Sequence, residues 1–202
     1  TIKGGYENMN KKIFSFVVIA LTFIAFNLYN NEIFAIDNIE NENYIYLSDI
    51  SYIEDKSFAQ GNHTIHLDKN EDNGMITLNV DNSSKSFIKG LCAWATSEIV
   101  YDLSTYTYDY FTSYIGVDIS EQNSYFNTGV KFYIYTSNDG ENWDKQFESE
   151  TLDAWSSAQF VKIDIKNVNY LKLVADDNSD SWWASWYDEA VYANAKLIKV
   201  NY

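Results

Sequence analysis

Aromatic rings and carboxylates are interleaved in one short stretch of the chain, and these residue types suit a ring-shaped, polyhydroxylated ligand. A flat aromatic ring packs against the apolar face of such a ligand, while carboxylates accept hydrogen bonds from its hydroxyls. Core packing explains any single one of these rings, whereas the whole cluster with its interleaved acids favours a ligand surface. The stretch contains Trp182, Trp183, Trp186, Tyr187, Asp188, Glu189 and Tyr192.

Oxygen-bearing side chains alternate in a second stretch, the turn from Leu67 to Gly74. Asp68, Asn70 and Asp72 occupy alternate positions there, a spacing that suits a hard cation. The turn resembles the start of an EF-hand loop, but its glycine comes one residue late and no glutamate follows at the proper offset. A solvated acidic turn is as good an explanation, and we keep a structural calcium ion as the prediction. For residues 176–180, also acidic, a solvated loop is favoured.

Residues for covalent or metal-assisted catalysis are sparse. His63 and His66 lie three apart on a predicted strand and hence on opposite faces, and with the single Cys92 they make no convincing zinc set. The chain has neither a G-x-S-x-G elbow nor an H-E-x-x-H motif. A glycosidase acid/base pair stays open, because the chain has 29 acidic residues. Aromatic rings and acids in loops favour a binding module over an enzyme.

The charge balance restricts the partners of the chain. The formal net charge is −15, and an acidic surface repels nucleic-acid phosphates and anionic membranes alike. A single cysteine excludes an internal disulfide, so the stability must come from the core and any bound metal. Absence of arginine and proline, with abundant Asn, Lys, Ile and Tyr, is typical of a low-GC bacterial genome.

The N-terminal segment has the order of a secretory signal peptide. Two lysines follow Met9, an apolar run covers residues 13–26, and Ala35 ends a small-residue cleavage site. The apolar run is short for a membrane span, and an uncleaved anchor is the less favoured alternative. We therefore predict a secreted protein. Its predicted segments are mis-assigned upstream translation at 1–8, a signal peptide at 9–35, a linker at 36–43 and one domain at 44–202.

Short alternating segments separated by Asn, Asp, Ser and Gly turns predict an all-β domain. Val161 and Ile163, for example, alternate with Lys162, as expected for a strand with one face in water. Asn-Asp-Gly at 138–140 predicts a tight hairpin turn, after which Trp143 folds back onto the sheet. The predicted fold is an antiparallel β-sandwich. Its predicted strands are HTIHL, MITLNV, SEIVYDL, YDYFTSYIGV, GVKFYIYTS, QFVKIDI, NYLKLVA and AKLIKV.

Four motifs resemble, in order, those of the NPCBM family of carbohydrate-binding modules, which is related to galactose-binding-like, discoidin-type jelly rolls. The resemblance covers roughly Tyr44 to Val200. Two departures concern the site: Trp94 and Glu189 each stand where the family usually has a histidine. Tyr192 also replaces a family tryptophan. The motifs that carry the resemblance are KGLCAWATSEIVYDL, YIGVD, GVKFYIYTSNDGENW and DEAVYANAKL.

The resemblance implies a non-catalytic, monomeric module that binds a terminal galactose-type sugar through loops at one end of the sandwich. It also implies an appended secreted glycoside hydrolase as the parent, and a structural calcium ion in some relatives. Open alternatives are a protein-binding or adhesive module that uses the same aromatic surface, and a module of a secreted peptidase. We predict Trp94 to be partly exposed in the sugar site. The predicted sugar-binding residues are Trp94, Trp182, Trp183, Tyr187, Asp188 and Glu189, and the predicted metal ligands are Asp68, Asn70 and Asp72.

Overall fold

The computed structural model describes residues 42–123, 129–177 and 188–200, and its main elements are β-strands. Short 3₁₀ turns at Leu47–Asp49, Glu54–Lys56, Gln60–Asn62 and Ile119–Asn123 connect some of them. The strands are β1 (Glu42–Tyr46), β2 (Phe58–Ala59), β3 (His66–Leu67), β4 (Ile76–Val80), β5 (Ser83–Phe87), β6 (Gly90–Trp94), β7 (Ser97–Asp102), β8 (Tyr110–Val117), β9 (Lys131–Ser137), β10 (Asp144–Glu148), β11 (Gln159–Asp164), β12 (Tyr170–Asp176) and β13 (Glu189–Val200).

Two sheets form the predicted sandwich, which the structure confirms. The larger sheet has the order β11-β8-β13-β6-β3, with β1 also paired to β13, and the smaller has the order β10-β9-β12-β7-β2. Every pairing along these two orders is antiparallel. Buried side chains from both sheets, such as Phe111 of β8 and Phe132 of β9, belong to one hydrophobic core between them.

The predicted alternation is present in the strands that border this core. In β11, Val161 and Ile163 are buried while Lys162 and Asp164 are exposed. In β9, Phe132 is buried and its neighbour Tyr133 is half-buried. One sheet face therefore supplies the apolar area whose burial stabilises the fold, and the other contacts water.

A separate hairpin, β4–β5, covers part of the outer face of the larger sheet. Its residues Ile76, Leu78 and Phe87 form a second hydrophobic cluster with Cys92 of β6 and Val191 of β13. Strands β6 and β13 are thus buried on both faces along the middle of their length, which explains their nearly continuous apolar sequence.

The glycine at the start of β6 is required by a close backbone approach. A Cβ atom on Gly90 would lie 2.8 Å from the carbonyl oxygen of Tyr192 and 2.9 Å from Cδ1 of Ile76. Gly90 therefore lets the strand pack closely against both β13 and the covering hairpin.

The predicted hairpin turn at 138–140 is confirmed between β9 and β10. Gly140 has a φ of +74°, which the glycine adopts without steric cost. Trp143 returns to the sheet, where the ammonium of Lys172 lies 4.6 Å from its ring centroid.

Some strand boundaries differ from the prediction. The predicted strand SEIVYDL is β7, and it is preceded by a further strand, β6, which belongs to the other sheet. Only His66–Leu67 of the predicted strand HTIHL is a strand. Strands β1, β2, β5 and β10 were not predicted. The signal-peptide prediction and most of the linker lie outside the described residues, and no helix in the described part is long and apolar enough to cross a membrane.

Candidate functional site

Four side chains meet on the outer face of the larger sheet, where β6 ends and β13 begins. Glu189 is the cross-strand partner of Trp94, and His66 of β3 is the partner of Cys92. Partner residues in an antiparallel pair project from the same face, and so do residues two apart in one strand. Strand register therefore brings Trp94, Glu189, Cys92 and His66 together.

Trp94 forms one wall of a pocket at this end of the sandwich. Its half-buried indole stacks against His63, with ring centroids 4.7 Å apart and ring planes at 8°. The two rings, with Gln60 and Gly61, line a pocket of about 270 Å³. This volume is slightly below the roughly 300–1,000 Å³ of pockets for drug-sized ligands, so it suits a ligand of one ring.

The 3₁₀ turn Gln60–Asn62 brings the opposite wall close to the rings. Oε1 of Gln60 accepts a hydrogen bond of 3.2 Å from the N–H of Thr96, which orients the amide group beside Trp94. Gly61 has a φ of +67°, and a Cβ atom there would lie 3.0 Å from Cδ2 of His63. Glycine at this position thus permits the turn and leaves room for the imidazole.

Glu71 links the histidines to the sheet. Its carboxylate oxygens lie 2.7 Å from Nε2 of His66 and 3.6 Å from Nδ1 of His63. The backbone N–H of Glu71 donates to Oε1 of Glu189, which also accepts a hydrogen bond of 2.7 Å from the Cys92 thiol. Contacts therefore run from buried Glu189 through Glu71 to His63, the ring that stacks on Trp94.

Further acids lie behind the pocket and alter each other's protonation. Burial, followed by the charge of Asp118, raises the pKa of Glu189 to about 7, although the Cys92 thiol acts in the opposite direction. Burial also raises the pKa of Glu121 to about 7, with contributions from the charges of Asp118 and Asp72. These two carboxyls therefore take up protons near neutral pH, which reduces repulsion within the group.

Asp188 anchors the start of β13. The residue is fully buried, and its Oδ1 accepts a hydrogen bond of 3.2 Å from the N–H of Gly129. Its backbone carbonyl accepts a second bond of 3.0 Å from the N–H of Ala95, in the turn between β6 and β7. Asp188 consequently holds together the segments around the pocket.

The structure places the predicted sugar-site residues in different surroundings. Trp94 is half-buried at the pocket, which agrees with the partial exposure predicted for it, and Glu189 lies next to it. The prediction had Asp188 and Glu189 on the ligand surface, but both side chains are buried, at 0% and 2% exposure, and bond to backbone N–H groups. The remaining members of the predicted cluster, Trp182, Trp183, Trp186 and Tyr187, lie outside the described residues.

Tyr192 is a core residue, so its inclusion in the ligand-facing cluster was wrong. Its side chain is 1% exposed and meets Phe132 edge to face, with ring centroids 5.4 Å apart. The alternation of β13 explains the difference, because Tyr192 is three residues beyond Glu189 and therefore projects from the opposite face.

Two of the predicted metal ligands, Asp68 and Asn70, are engaged in contacts within the protein. The Asp68 carboxylate binds Lys89 and accepts a hydrogen bond from the N–H of Gly90, while Oδ1 of Asn70 accepts one from the N–H of Gly74 at 2.7 Å. Across residues 42–123, 129–177 and 188–200, no group of three His, Cys, Asp or Glu side chains is arranged to hold a metal. Calcium binding stays a prediction.

His63 and His66 are the residues that sequence analysis missed. They were placed on opposite faces of a strand, but the strand begins only at His66, and the preceding loop turns His63 toward the same glutamate. The signal was available in part: two family histidines are replaced, and the chain's only two histidines lie close together in sequence.

Comparison with known proteins identifies the family of the chain. Residues 43–198 match the NPCBM/NEW2 domain. The chain belongs to the NPCBM/NEW2 domain family. Because this match covers most of the described residues, the resemblance seen in the sequence is confirmed. No curated protein sequence matches the chain.

Solved carbohydrate-binding modules of the class CBM51 share this fold. One, from Clostridium perfringens GH95 in complex with methyl-galactose, is 31% identical with a TM-score of 0.66, and the match covers 77% of this chain and 99% of that chain. A second, CBM51-2 of Clostridium perfringens ZmpB with GlcNAc, is 26% identical with a TM-score of 0.67, covering 78% of this chain and 32% of that one.

A third neighbour, the tandem CBM51 modules of Sp3GH98, comes from a family 98 glycoside hydrolase of Streptococcus pneumoniae. It is 27% identical with a TM-score of 0.67, and the match covers 80% of this chain and 48% of that one. The chain thus spans about half of this neighbour and about a third of the ZmpB structure. The shared fold and family support a carbohydrate-binding role for the domain.

Proposed function

We propose that the chain binds a terminal, galactose-type sugar of a glycan in the pocket formed by Trp94, His63, Gln60 and Gly61. The observation that carries the proposal is the pocket itself, an indole and an imidazole beside an oriented amide, in a member of a carbohydrate-binding family. Galactose is favoured because the neighbour with 31% identity is a complex with methyl-galactose.

The side chains of the pocket would contact different parts of the sugar. Trp94 offers an apolar surface for the C–H face of the sugar ring. His63, whose side chain is 41% exposed, and the Gln60 amide offer hydrogen-bonding groups for the hydroxyls. Glu189 and Glu71 act behind them as positioning residues, because their contacts fix the segment that carries His63.

The wider role that we propose is targeting. A sugar-binding module of this kind would hold an appended glycoside hydrolase on a glycan surface outside the cell, as the predicted signal peptide requires. Two of the neighbours above belong by name to GH95 and to a family 98 glycoside hydrolase, which supports such a parent. The net charge of −15 favours neutral glycans over anionic surfaces.

A glycan array tests the binding function directly. We expect the purified chain to bind glycans that end in galactose, and free methyl galactoside to compete. The Trp94→Ala variant should lose the signal, whereas Trp155→Ala should keep it, because Trp155 is 63% exposed and lies outside the pocket. Binding to glycoproteins that no free monosaccharide inhibits would instead support a protein-binding or adhesive module.

A further inference from the structure

The loops at the other end of the sandwich form a second and larger pocket. Strand β7 ends there, β8 and β12 begin there, and β13 ends there, whereas Trp94 lies at the opposite ends of these strands. The pocket has a volume of about 380 Å³ and lies between the β7–β8 loop and the β11–β12 loop. It shares no lining residue with the Trp94 pocket.

Two tyrosines give this pocket an aromatic wall. Tyr106 and Tyr108 have ring centroids 6.2 Å apart and ring planes at 33°, and Tyr106 is 36% exposed. Beneath them are the buried side chains of Leu103, Ile165 and Leu197. An exposed ring, Tyr106, angled against the half-buried ring of Tyr108 over an apolar base provides a flat surface on which a sugar ring packs.

Polar groups line the facing side. Ser104 and Thr107 contribute hydroxyls and Asn167 contributes an amide, whereas the amide nitrogen of Asn169 donates to the carbonyl of Asn138 at 2.9 Å. Asn167 has a φ of +60°, a left-handed conformation that asparagine tolerates better than most residues. Amides and hydroxyls can donate and accept at once, which matches the hydroxyl groups of a saccharide.

Asp109 and two lysines, Lys166 and Lys199, line the pocket, and Asp109 is paired with Lys199. Buried Asp109, 4% exposed, accepts a hydrogen bond of 2.9 Å from the N–H of Val200, and the ammonium of Lys199 lies 3.4 Å from its carboxylate. The Val200 N–H holds the pKa of Asp109 below its usual value, so the ion pair persists at neutral pH. With Asp109 engaged in this way, the hydroxyls and amides are the groups available to a neutral ligand.

Backbone hydrogen bonds hold the loops in position before any ligand arrives. The N–H of Leu103 donates to the carbonyl of Asn169 at 2.7 Å, and the N–H of Tyr106 donates to the carbonyl of Leu103 at 2.8 Å. The N–H of Ile165 likewise donates to the carbonyl of Asp109 at 3.0 Å. Such pre-organisation lowers the entropy lost on binding.

We propose that this Tyr106–Asn167 pocket is a second saccharide site, which takes one neutral pyranose residue. The eight-residue strand β8 separates the two pockets by about 27 Å, at about 3.4 Å per residue. That distance exceeds the span of a disaccharide, so the two sites bind different branches or different glycans. Two occupied sites would raise the avidity of the module for a dense glycan surface.

Nuclear magnetic resonance of the full chain distinguishes the two sites. The isotope-labelled protein is titrated with a panel of neutral methyl pyranosides of galactose, glucose, mannose and N-acetylglucosamine. We expect at least one sugar to shift the backbone amides of 104–109 and 167–169 in addition to those around Gln60 and Trp94. In Tyr106→Ala, the affinity read from the shifts at 104–109 and 167–169 should fall at least tenfold. The affinity read from the shifts around Gln60 and Trp94 should be unchanged.

A second variant guards against a loss of structure. Asn167→Gly keeps the left-handed backbone and removes only the amide, so it should weaken the same group of shifts in a folded protein. The inference fails if no sugar of the panel shifts 104–109 and 167–169, or if neither variant changes those shifts. Shifts confined to the Trp94 end would refute this second site and support the proposed function. Shifts confined to 104–109 and 167–169 would support this second site and refute the proposed function.

Discussion

The two faces of the β6–β13 strand pair differ in chemistry although their residues alternate one by one. Toward the sandwich interior the pair presents Ala93 and Tyr192, and toward the outside it presents Trp94 and Glu189. Glu189 and Tyr192 are almost equally buried, at 2% and 1% exposure, so burial does not separate the two faces. The contacts separate them. Tyr192 packs on the Phe132 ring, whereas Glu189 accepts hydrogen bonds from the Glu71 N–H and the Cys92 thiol.

The inner face should respond to loss of volume. Tyr192→Ala removes a fully buried ring that packs on Phe132, and we expect it to lower the free energy of unfolding by about 3–5 kcal/mol. Among the described residues the Tyr192 hydroxyl has no hydrogen-bond partner, so Tyr192→Phe should leave stability unchanged or slightly higher. Denaturant unfolding measures both. A loss in Tyr192→Phe as large as in Tyr192→Ala would contradict the apolar nature of this face.

The outer face should respond to pH. The pKa of Glu189 rises from its usual 4.5 to about 7 in the folded chain, chiefly through burial, so the folded state binds the proton more tightly than the unfolded one. The stabilisation of the fold by the protonated Glu189 is therefore complete below about pH 4.5 and is lost as the pH rises through 7. Glu121 shares this direction.

Melting temperatures between pH 5 and 8 check this sign. The melting temperature of the wild-type protein should fall toward pH 8 as Glu189 loses its proton. That of Glu189→Gln should fall less over the same interval. The matched control is Asp102→Asn, an exposed acid whose pKa is lowered by its hydrogen bonds from Ser104. Equal pH profiles in the wild type and Glu189→Gln would remove Glu189 as the cause.

The smallest expected effect concerns calcium at the 68–74 turn. The calcium prediction expects a higher melting temperature in calcium than in EDTA, because a bound ion stabilises by mass action. Binding there requires Asp68 to exchange its contact with Lys89 for the ion. Equal melting temperatures, together with elemental analysis that finds no calcium, would contradict calcium binding. The turn would then be held by its hydrogen bonds alone.

The inner face could be predicted from sequence, and the outer face only in part. Alternation in β11 and β9 depends on local pattern and hydrophobic burial, which a sequence displays directly. The pocket depends on strand register and on the turn at 60–62, which brings His63 onto Trp94 from a distant part of the chain. Asp188 and Glu189 were predicted to face the ligand because carboxylates accept hydrogen bonds from sugar hydroxyls, yet backbone N–H groups and the Cys92 thiol satisfy them inside the protein.

Resemblance to the family supplied what pattern alone could not. The positions of Trp94 and Glu189 drew attention because both replace family histidines, and the structure places them side by side. The two histidines near Trp94 lie on β3 and in the loop before it, where no family motif pointed. The resemblance therefore pointed to Trp94 and Glu189 and gave no indication of His63, which stacks on Trp94.

Three titrations test the central claim, that the outer face at Trp94 binds the sugar. Calorimetry with methyl galactoside is performed on the wild-type protein, Trp94→Ala and Trp155→Ala, with a melting temperature for each. We predict that Trp94→Ala binds at least tenfold more weakly while its melting temperature falls far less than that of Tyr192→Ala, and that Trp155→Ala binds like the wild type. Wild-type affinity in Trp94→Ala, or a melting temperature as low as that of Tyr192→Ala, would contradict the account.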